Sequence, residues 1–402
     1  MGYETWISST YLSGLAGELK VSVTLASILL ASTWIGSIGQ LVGAWAFERV
    51  GSPKKYTLFV AGAARSLWAV PLLVALVFAW LAHRAGQTFP RDTWILILAA
   101  VSCSSALLAT SSVASWNSWV RSLVPADFRG RFFGGRQRYV MIAMVSANLI
   151  ASFWVDWRPH GYYAGYVILA VLALLCATVS TFLLTKIPEP AAIPRIEKQT
   201  FFELIREPFR NRRFRNVLIF GALMNGAVQL AGPFFPYYFT KELKIPMASV
   251  AIWTMLASAG SVLASGFWGR KIDRGAAAKI AFYCGLLVSC SPLPYVINSG
   301  KWISMIGGAE YFSNGLYSSG YLLAMTAMLF EACPEGRNAI YFSVAIAANG
   351  ICGALANFVA ARIAVWLIPL GGFRALFAIA SVCRLIAVNV GYRLVKSRDS
   401  SN

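Results

Sequence analysis

Three observations predict an all-α, polytopic membrane fold for this 402-residue chain. Hydrophobic residues make up 58% of it and charged residues 13%, about half the charged share of an ordinary soluble domain, and the mean hydropathy is +0.62. Apolar runs long enough to cross a hydrocarbon core, which takes about 20 helical residues, recur along its whole length. One stretch occurs twice: Glu18-Leu19-Lys20-Val21 opens an apolar run ending at Glu48-Arg49-Val50-Gly51, and 224 residues later Glu242-Leu243-Lys244-Ile245 opens another ending at Asp273-Arg274-Gly275. Backbone groups in lipid have no water to bond, so each crossing segment must be a helix.

Taken in order, the complete spans fall at 22–47, 56–82, 93–120, 138–157, 162–185, 217–240, 247–269, 277–298, 302–332, 339–367 and 373–395. Residues 1–17 read as the tail of a twelfth span, because the equivalent segment before Glu242 starts near Val217. The first helix is therefore expected to be short, or its start to lie upstream. The prediction is a 6+6 arrangement of twelve helices. Its N-terminal half covers 1–185, a cytoplasmic linker 186–216, its C-terminal half 217–396 and a cytoplasmic tail 397–402. A third matching pair, Pro125-Ala126-Asp127-Phe128-Arg129 and Pro334-Glu335-Gly336-Arg337, lies in short polar breaks of the two halves, 209 residues apart because the intervening loops differ in length. Two similar hydrophobic halves suggest a transporter.

The linker opens with the helix-breaking Ile187-Pro188-Glu189-Pro190 and continues into Phe201-Phe202-Glu203-Leu204-Ile205-Arg206, whose pattern suits a short amphipathic helix on the inner membrane surface. External loops are short, which argues against a receptor with an ectodomain.

A net charge of +19 would suggest nucleic acid in a soluble protein, but here its placement follows topology. Of the 35 Lys and Arg, 24 lie in or at the edges of alternate breaks and at the C-terminal end, eight in or at the edges of the intervening breaks, and only Arg65, Arg362 and Arg384 well inside spans. That alternation is the positive-inside pattern, and it places the C-terminus in the cytoplasm of a cell-membrane (inner or plasma membrane), multi-pass protein. The seven cysteines lie in spans or at their ends with no zinc spacing, and read as small packing residues. The N-terminus has no basic region and carries Glu4, so no cleavable signal peptide is expected.

The loop Ala44-Trp45-Ala46-Phe47-Glu48-Arg49-Val50-Gly51-Ser52-Pro53-Lys54-Lys55 resembles the G-x-x-x-D-R-x-G loop between the second and third helices of the major facilitator superfamily, with Ala44 in place of the first Gly and Glu48 in place of Asp. The second copy, Gly269-Arg270-Lys271-Ile272-Asp273-Arg274-Gly275, keeps Gly, Asp and Arg but brings its last Gly one place early. Pro125 to Gly134, with Arg129-Gly130-Arg131, resembles the family's P-x-x-x-R-G-R-x-x-G loop. The fifth span lacks the G-x-x-x-G-P pattern of the family's drug/proton antiporters.

The resemblance implies two six-helix halves, alternating access, and a cavity lined by the first, fourth, seventh and tenth helices. It also implies a cytoplasmic gate. Glu48 would face the N-terminus of the eleventh helix near Arg337, and Asp273 that of the fifth near Arg136, since a carboxylate is stabilised at a helix N-terminus. Arg49, Gly51, Arg274, Arg121, Arg129 and Arg131 complete the gate. The plain alternative is that these charges only mark topology.

On the tenth span Glu310, Asn314, Tyr317 and Tyr321 are spaced 0, 4, 7 and 11, one face of a helix. A carboxylate at that depth costs about 2.5–3.5 kcal/mol, so Glu310 should face water, a partner or a substrate. Two functional roles fit it, a proton carrier or a counter-ion for a cationic substrate, and a structural ion pair is the alternative. Both histidines, His83 and His160, lie in outer loops, which leaves Glu310 as the leading proton carrier.

On the seventh span Asn225 and Gln229 point the same way before Gly232-Pro233, as substrate ligands or interhelical hydrogen-bond partners. On the fourth, Trp116 is a cavity candidate, and Asn117 beside it is not expected to share that face. Arg65 and Arg384 belong to spans the family places at its periphery, as snorkelling or structurally paired groups.

No G-x-x-x-x-G-K-[ST] loop, H-E-x-x-H motif or Ser/His/Asp set occurs, so neither an enzyme nor a primary pump is expected, and no cofactor or metal. The expected partners are a small-molecule substrate, the lipid bilayer and protons, with no nucleic acid, acting on a monomer. A transporter-like sensor or scaffold that moves nothing is the competing class.

Overall fold

The computed structural model describes residues 34–71, 91–124, 129–157, 164–189, 201–297, 300–334, 338–367 and 372–396, together with 25, 28 and 74. All regular structure among them is helical. The expected first span and the C-terminal tail lie outside the described residues. By backbone contacts the chain divides into two compact units, Met1–Gln199 and Thr200–Asn402.

The first unit contains α1 (Gly39–Val50), α2 (Pro53–Ser66), α3 (Arg91–Leu123), α4 (Arg129–Asp156) and α5 (Ala164–Thr185), with a 3-10 turn Gly36–Ile38 leading into α1. Gly51 stops α1 in the left-handed region at φ 69°, which only glycine adopts without strain. Ser52 then caps α2, its Oγ accepting from the Lys55 amide at 3.2 Å, and Pro53 takes the first helical position, where no N–H is needed.

Small and hydroxyl residues join these helices, as is usual where lipid offers no hydrophobic drive between them. A Cβ at Gly39 or Gly43 would overlap the Leu107 or Ser111 carbonyl of α3, so α1 lies backbone to backbone against α3. Between α2 and α3 the Thr57 and Ser115 hydroxyls meet at 2.8 Å, and Ser105 donates to the Ala64 carbonyl at 2.8 Å. The outward face of α5, with Leu172, Leu175, Val179, Phe182 and Leu183 exposed, is what a lipid-facing helix requires.

The second unit contains α6 (Phe201–Arg210), α7 (Arg212–Gln229), α8 (Phe234–Tyr237), α9 (Met247–Lys271), α10 (Ala277–Cys290), α11 (Leu293–Ile297), α12 (Gly300–Ala332), α13 (Asn338–Trp366) and α14 (Phe373–Lys396). Asn211 caps α7 through its side-chain oxygen and ties it to α12 by donating to the Ala332 carbonyl at 2.9 Å. Gly275 at φ 80° turns the chain between α9 and α10, the same device as Gly51 in the other copy of the repeated loop. The repeat shows again in packing. Gly260, 224 residues after Gly36, meets the Phe312 carbonyl of α12, and Gly315 of α12 meets the Ala257 carbonyl of α9. The apolar core of this unit joins Val217 and Phe220 of α7, Ile280, Ala281 and Cys284 of α10, and Ala324, Met325 and Met328 of α12.

Among the described residues, six helical stretches are long and apolar enough to cross a membrane: Asp92–Asn117, Ile168–Thr185, Arg212–Thr240, Met247–Ile297, Ile340–Ala364 and Phe373–Lys396. Several expected boundaries move. The helix expected at 138–157 begins at Arg129 inside the basic loop, and that expected at 217–240 begins at Arg212, because arginine is a good helix former and carries a helix beyond its apolar part. The spans expected as continuous at 217–240 and 277–298 are each broken near their outer ends.

Candidate functional site

Both breaks are made by proline. Pro233 and Pro292 have no N–H, and their rings crowd the preceding turn, so α7 ends at Gln229 and α10 at Cys290, and short helices α8 and α11 continue each path. A broken helix in a bilayer leaves carbonyls to be satisfied. One side chain serves both breaks.

Arg384 of α14 donates from Nε to the Ala227 carbonyl (3.5 Å), from Nη2 to the Val228 carbonyl (3.2 Å), and from Nη1 to the Val288 carbonyl (3.2 Å) and Ser291 Oγ (3.1 Å). A cation suits these helix C-terminal ends, where carbonyl dipoles sum to partial negative charge. Arg384 is 3% exposed. The expectation of a peripheral, snorkelling arginine is corrected by this geometry, since its bonds draw it inward to two carbonyl clusters.

The second break also places Tyr295. On α11 this residue is 2% exposed, packed against Phe235 and Phe239 with ring centroids 5.3 and 5.1 Å away. Its hydroxyl donates to Glu310 Oε2 of α12 at 2.5 Å. Asn314, one turn along α12, lies close to the same carboxylate, and Glu310 Oε1 is buried with no partner of hydrogen-bond geometry among the described residues.

These groups border a cavity of about 530 Å³ formed wholly by second-unit residues. Of the expected site residues, Glu310, Asn314, Tyr321 and Asn225 line it. Tyr317 packs into the apolar clusters beside it, and Gln229 is buried without bordering it, its Oε1 turned toward Gly232 at the break. Asn225 donates to the Asn349 carbonyl at 2.7 Å, so its amide joins α7 to α13. Arg384, Tyr295, Tyr311 and Asn349 also line the cavity and were not among the expected residues. Glu310 was the one signal pointing to them, since a buried carboxylate needs a donor nearby.

A second cavity, of about 830 Å³, lies within the first unit. Trp116 and Asn117 both border it, at positions about 100° apart on the helix. The Arg136 guanidinium covers the Trp116 ring at 4.4 Å, and Arg65 donates to Thr181 Oγ1 at 2.7 Å. This holds Arg65 inside the unit, tied to α5.

The family model of the Major Facilitator Superfamily matches residues 1–356. This chain is a major facilitator. The cis,cis-muconate transport protein of Acinetobacter baylyi is 24% identical to it over 377 residues, 88% of this chain and 79% of that one. In structure the chain resembles the nucleoside transporter NupG (TM-score 0.71, 12% identity, 98% of this chain and 97% of that one) and a D-xylose-proton symporter (TM-score 0.70, 15% identity, 98% and 95%). The family match and these likenesses establish the twelve-helix major facilitator fold, all α and multi-pass, and the family is one of transporters, which is not an enzyme class.

In this major facilitator, the described gate residues sit at helix ends. Arg49 stacks over the Trp45 ring at 3.9 Å, while Asp273 and Arg274 are exposed in the turn before Gly275. The side chains of Glu48, Arg121, Arg129 and Arg131, and Arg337 as a whole, lie outside the described residues. Next to the first gate loop, Ser52 donates to Glu189 Oε1 at 2.5 Å and Trp119 to the Pro188 carbonyl at 2.9 Å, so the start of the linker is fastened to α2 and α3.

Proposed function

We propose that this chain is a secondary active transporter that carries a small organic solute by alternating access and couples it to protons through Glu310. The observation that carries this reading is Glu310 itself. It stands ten residues into a long helix and borders the cavity, its carboxylate held by the Tyr295 hydroxyl with Asn314 beside it. A carboxylate kept in that setting at a cost of a few kcal/mol suits a group that gains and loses a proton as solute enters and leaves. We assign the halves to 1–185 and 217–396, and the cytoplasmic gate to Glu48, Arg49, Gly51, Asp273, Arg274, Arg121, Arg129, Arg131 and Arg337. The left-handed glycine shared by both repeated loops supports the gate, since each turns the chain sharply beside its acidic residue.

Purified protein in liposomes tests the coupling. With a proton gradient imposed, wild-type protein should accumulate solute, and Glu310→Gln should lose accumulation while keeping exchange of labelled for unlabelled solute. Absence of flux from both proteins would support the non-transporting sensor or scaffold instead. The substrate named for the Acinetobacter relative supplies a second reading of the solute, an organic dicarboxylate with Arg384 as its counter-ion.

A further inference from the structure

Away from the cavity, the end of α6 and the start of α7 carry arginines on an exposed surface. α6 stops at Arg210 and the spanning stretch of α7 starts at Arg212, so α6 lies at the level where the headgroups of a bilayer stand. α6 packs on α7 and α13 with Pro208 buried, while Arg206, Phe209 and Arg210 are exposed within about 100° of one another around the helix. A phenylalanine left 43% exposed between two arginines suits the boundary between headgroups and acyl chains.

On α7 the exposed residues form one stripe. Arg212, Arg215, Ile219 and Leu223 follow at steps of three, four and four, so two arginines stand at the head of two apolar side chains that are 37% and 44% exposed. The stripe lies on the side of α7 away from Val217, Met224 and Val228, which line the cavity. Arg215 Nη1 donates to the Phe209 carbonyl at 3.5 Å, which sets the stripe against the last turn of α6. Asn216 donates to the Leu394 carbonyl at 2.8 Å and brings the exposed Arg393 of α14 to the same end of the unit.

Few carboxylates oppose these cations. Among the described residues of this surface, Glu331 is taken by Arg213 at 2.7 Å and Glu207 is half-buried, and the Glu203 side chain lies outside the described residues. A guanidinium fork matches phosphate oxygens, and the apolar stripe running on from it matches acyl chains. A soluble phosphate engages only the arginines, and a zwitterionic lipid carries a quaternary ammonium that the same arginines repel.

We propose that this surface binds an anionic phospholipid, its headgroup phosphate held by Arg210, Arg212 and Arg215, its acyl chains along Ile219 and Leu223, and the Phe209 ring beside them. Neither the solute nor its coupling takes part in this site.

Full-length protein in neutral detergent provides the test, with binding followed by native mass spectrometry and thermal stabilisation. The probes are dioleoyl phosphatidylglycerol, dioleoyl phosphatidylcholine and glycerol 1-phosphate. Phosphatidylglycerol should bind at least about tenfold more tightly than phosphatidylcholine, and glycerol 1-phosphate should displace neither. Each arginine beside an anionic headgroup is worth about fivefold, so Arg212→Gln/Arg215→Gln should weaken phosphatidylglycerol about 10–30-fold and move phosphatidylcholine by less than about threefold. Taking the same charge from exposed positions of α9 and α10, Arg270→Gln/Lys279→Gln, should change either lipid by less than about threefold. Where the α7 pair melts lower than wild type without lipid, Arg212→Gln alone is read in its place, with about fivefold expected.

Equal affinity for the two lipids, an equal loss in the α9–α10 control, or displacement of phosphatidylglycerol by glycerol 1-phosphate would overturn the inference.

Discussion

The Tyr295 hydroxyl donates to Glu310 Oε2 across 2.5 Å and so ties α11, the short helix beyond the Pro292 break, to the long helix α12. The geometry depends on the break, because Tyr295 follows Pro292 by three residues. Whatever moves α11 moves the donor on Glu310.

Tyr295→Phe removes this bond and leaves the ring in place. Proton-driven accumulation should fall about 10–150-fold, the worth of a hydrogen bond to a charged group, while solute exchange without a gradient changes by less than about threefold. Parallel uptake and counterflow assays on reconstituted protein check the split. Equal loss in both would mean that the bond holds the fold and has no part in coupling.

Arg384→Met should destabilise the second unit by about 3–5 kcal/mol, since it leaves two helix breaks without their shared donor. Arg384→Lys should recover only part of this, because an ammonium cannot reach four acceptors in a planar fork. Melting temperatures in detergent should rank wild type, Lys, Met, and equal values for all three would count against the clamp.

Gly315→Ala puts a methyl group onto the Ala257 carbonyl where α9 and α12 lie closest. The helices must separate, at about 1–3 kcal/mol. The same change at Gly266, where a Cβ meets nothing within 4 Å, should stay within about 0.5 kcal/mol of wild type. Thermal melts of the pair distinguish backbone contact from helix propensity.

Glu242 stands outside the spans, where partial desolvation raises its carboxyl above the usual range and nearby Arg374 pulls it back. A raised folded-state value means that the folded protein holds this proton more firmly than the unfolded chain does. Its contribution is favourable at low pH and is lost as pH rises through the raised value. Glu242→Gln should therefore match wild type near pH 4 and melt higher at pH 7. A melting series across that interval checks the sign.

Much of the fold was legible in the sequence because its determinants are local. Span length, the alternation of basic loops and the repeated acidic loops need no knowledge of neighbours, and the left-handed turns at Gly51 and Gly275 follow from glycine's lack of a Cβ. Glu310 was legible too, as a carboxylate deep in an apolar run. Its partners were not. Tyr317 and Tyr321 share a helical face by spacing and pack against the same apolar clusters, yet of the two it is Tyr321 that borders the cavity. Asn225 and Gln229 were expected to point alike, and only Asn225 borders the cavity.

By itself the sequence determined that this chain is helical, membrane-spanning and duplicated, since hydropathy, charge placement and repetition are properties of residues along a line. Only the tertiary structure decided that Arg384 closes two proline breaks and that Tyr295 meets Glu310. Those contacts join separate helices, 15 residues apart for Tyr295 and Glu310 and 96 to 157 apart for Arg384 and the carbonyls it reaches, and which carbonyl a buried guanidinium reaches depends on where the neighbouring helices break and pack.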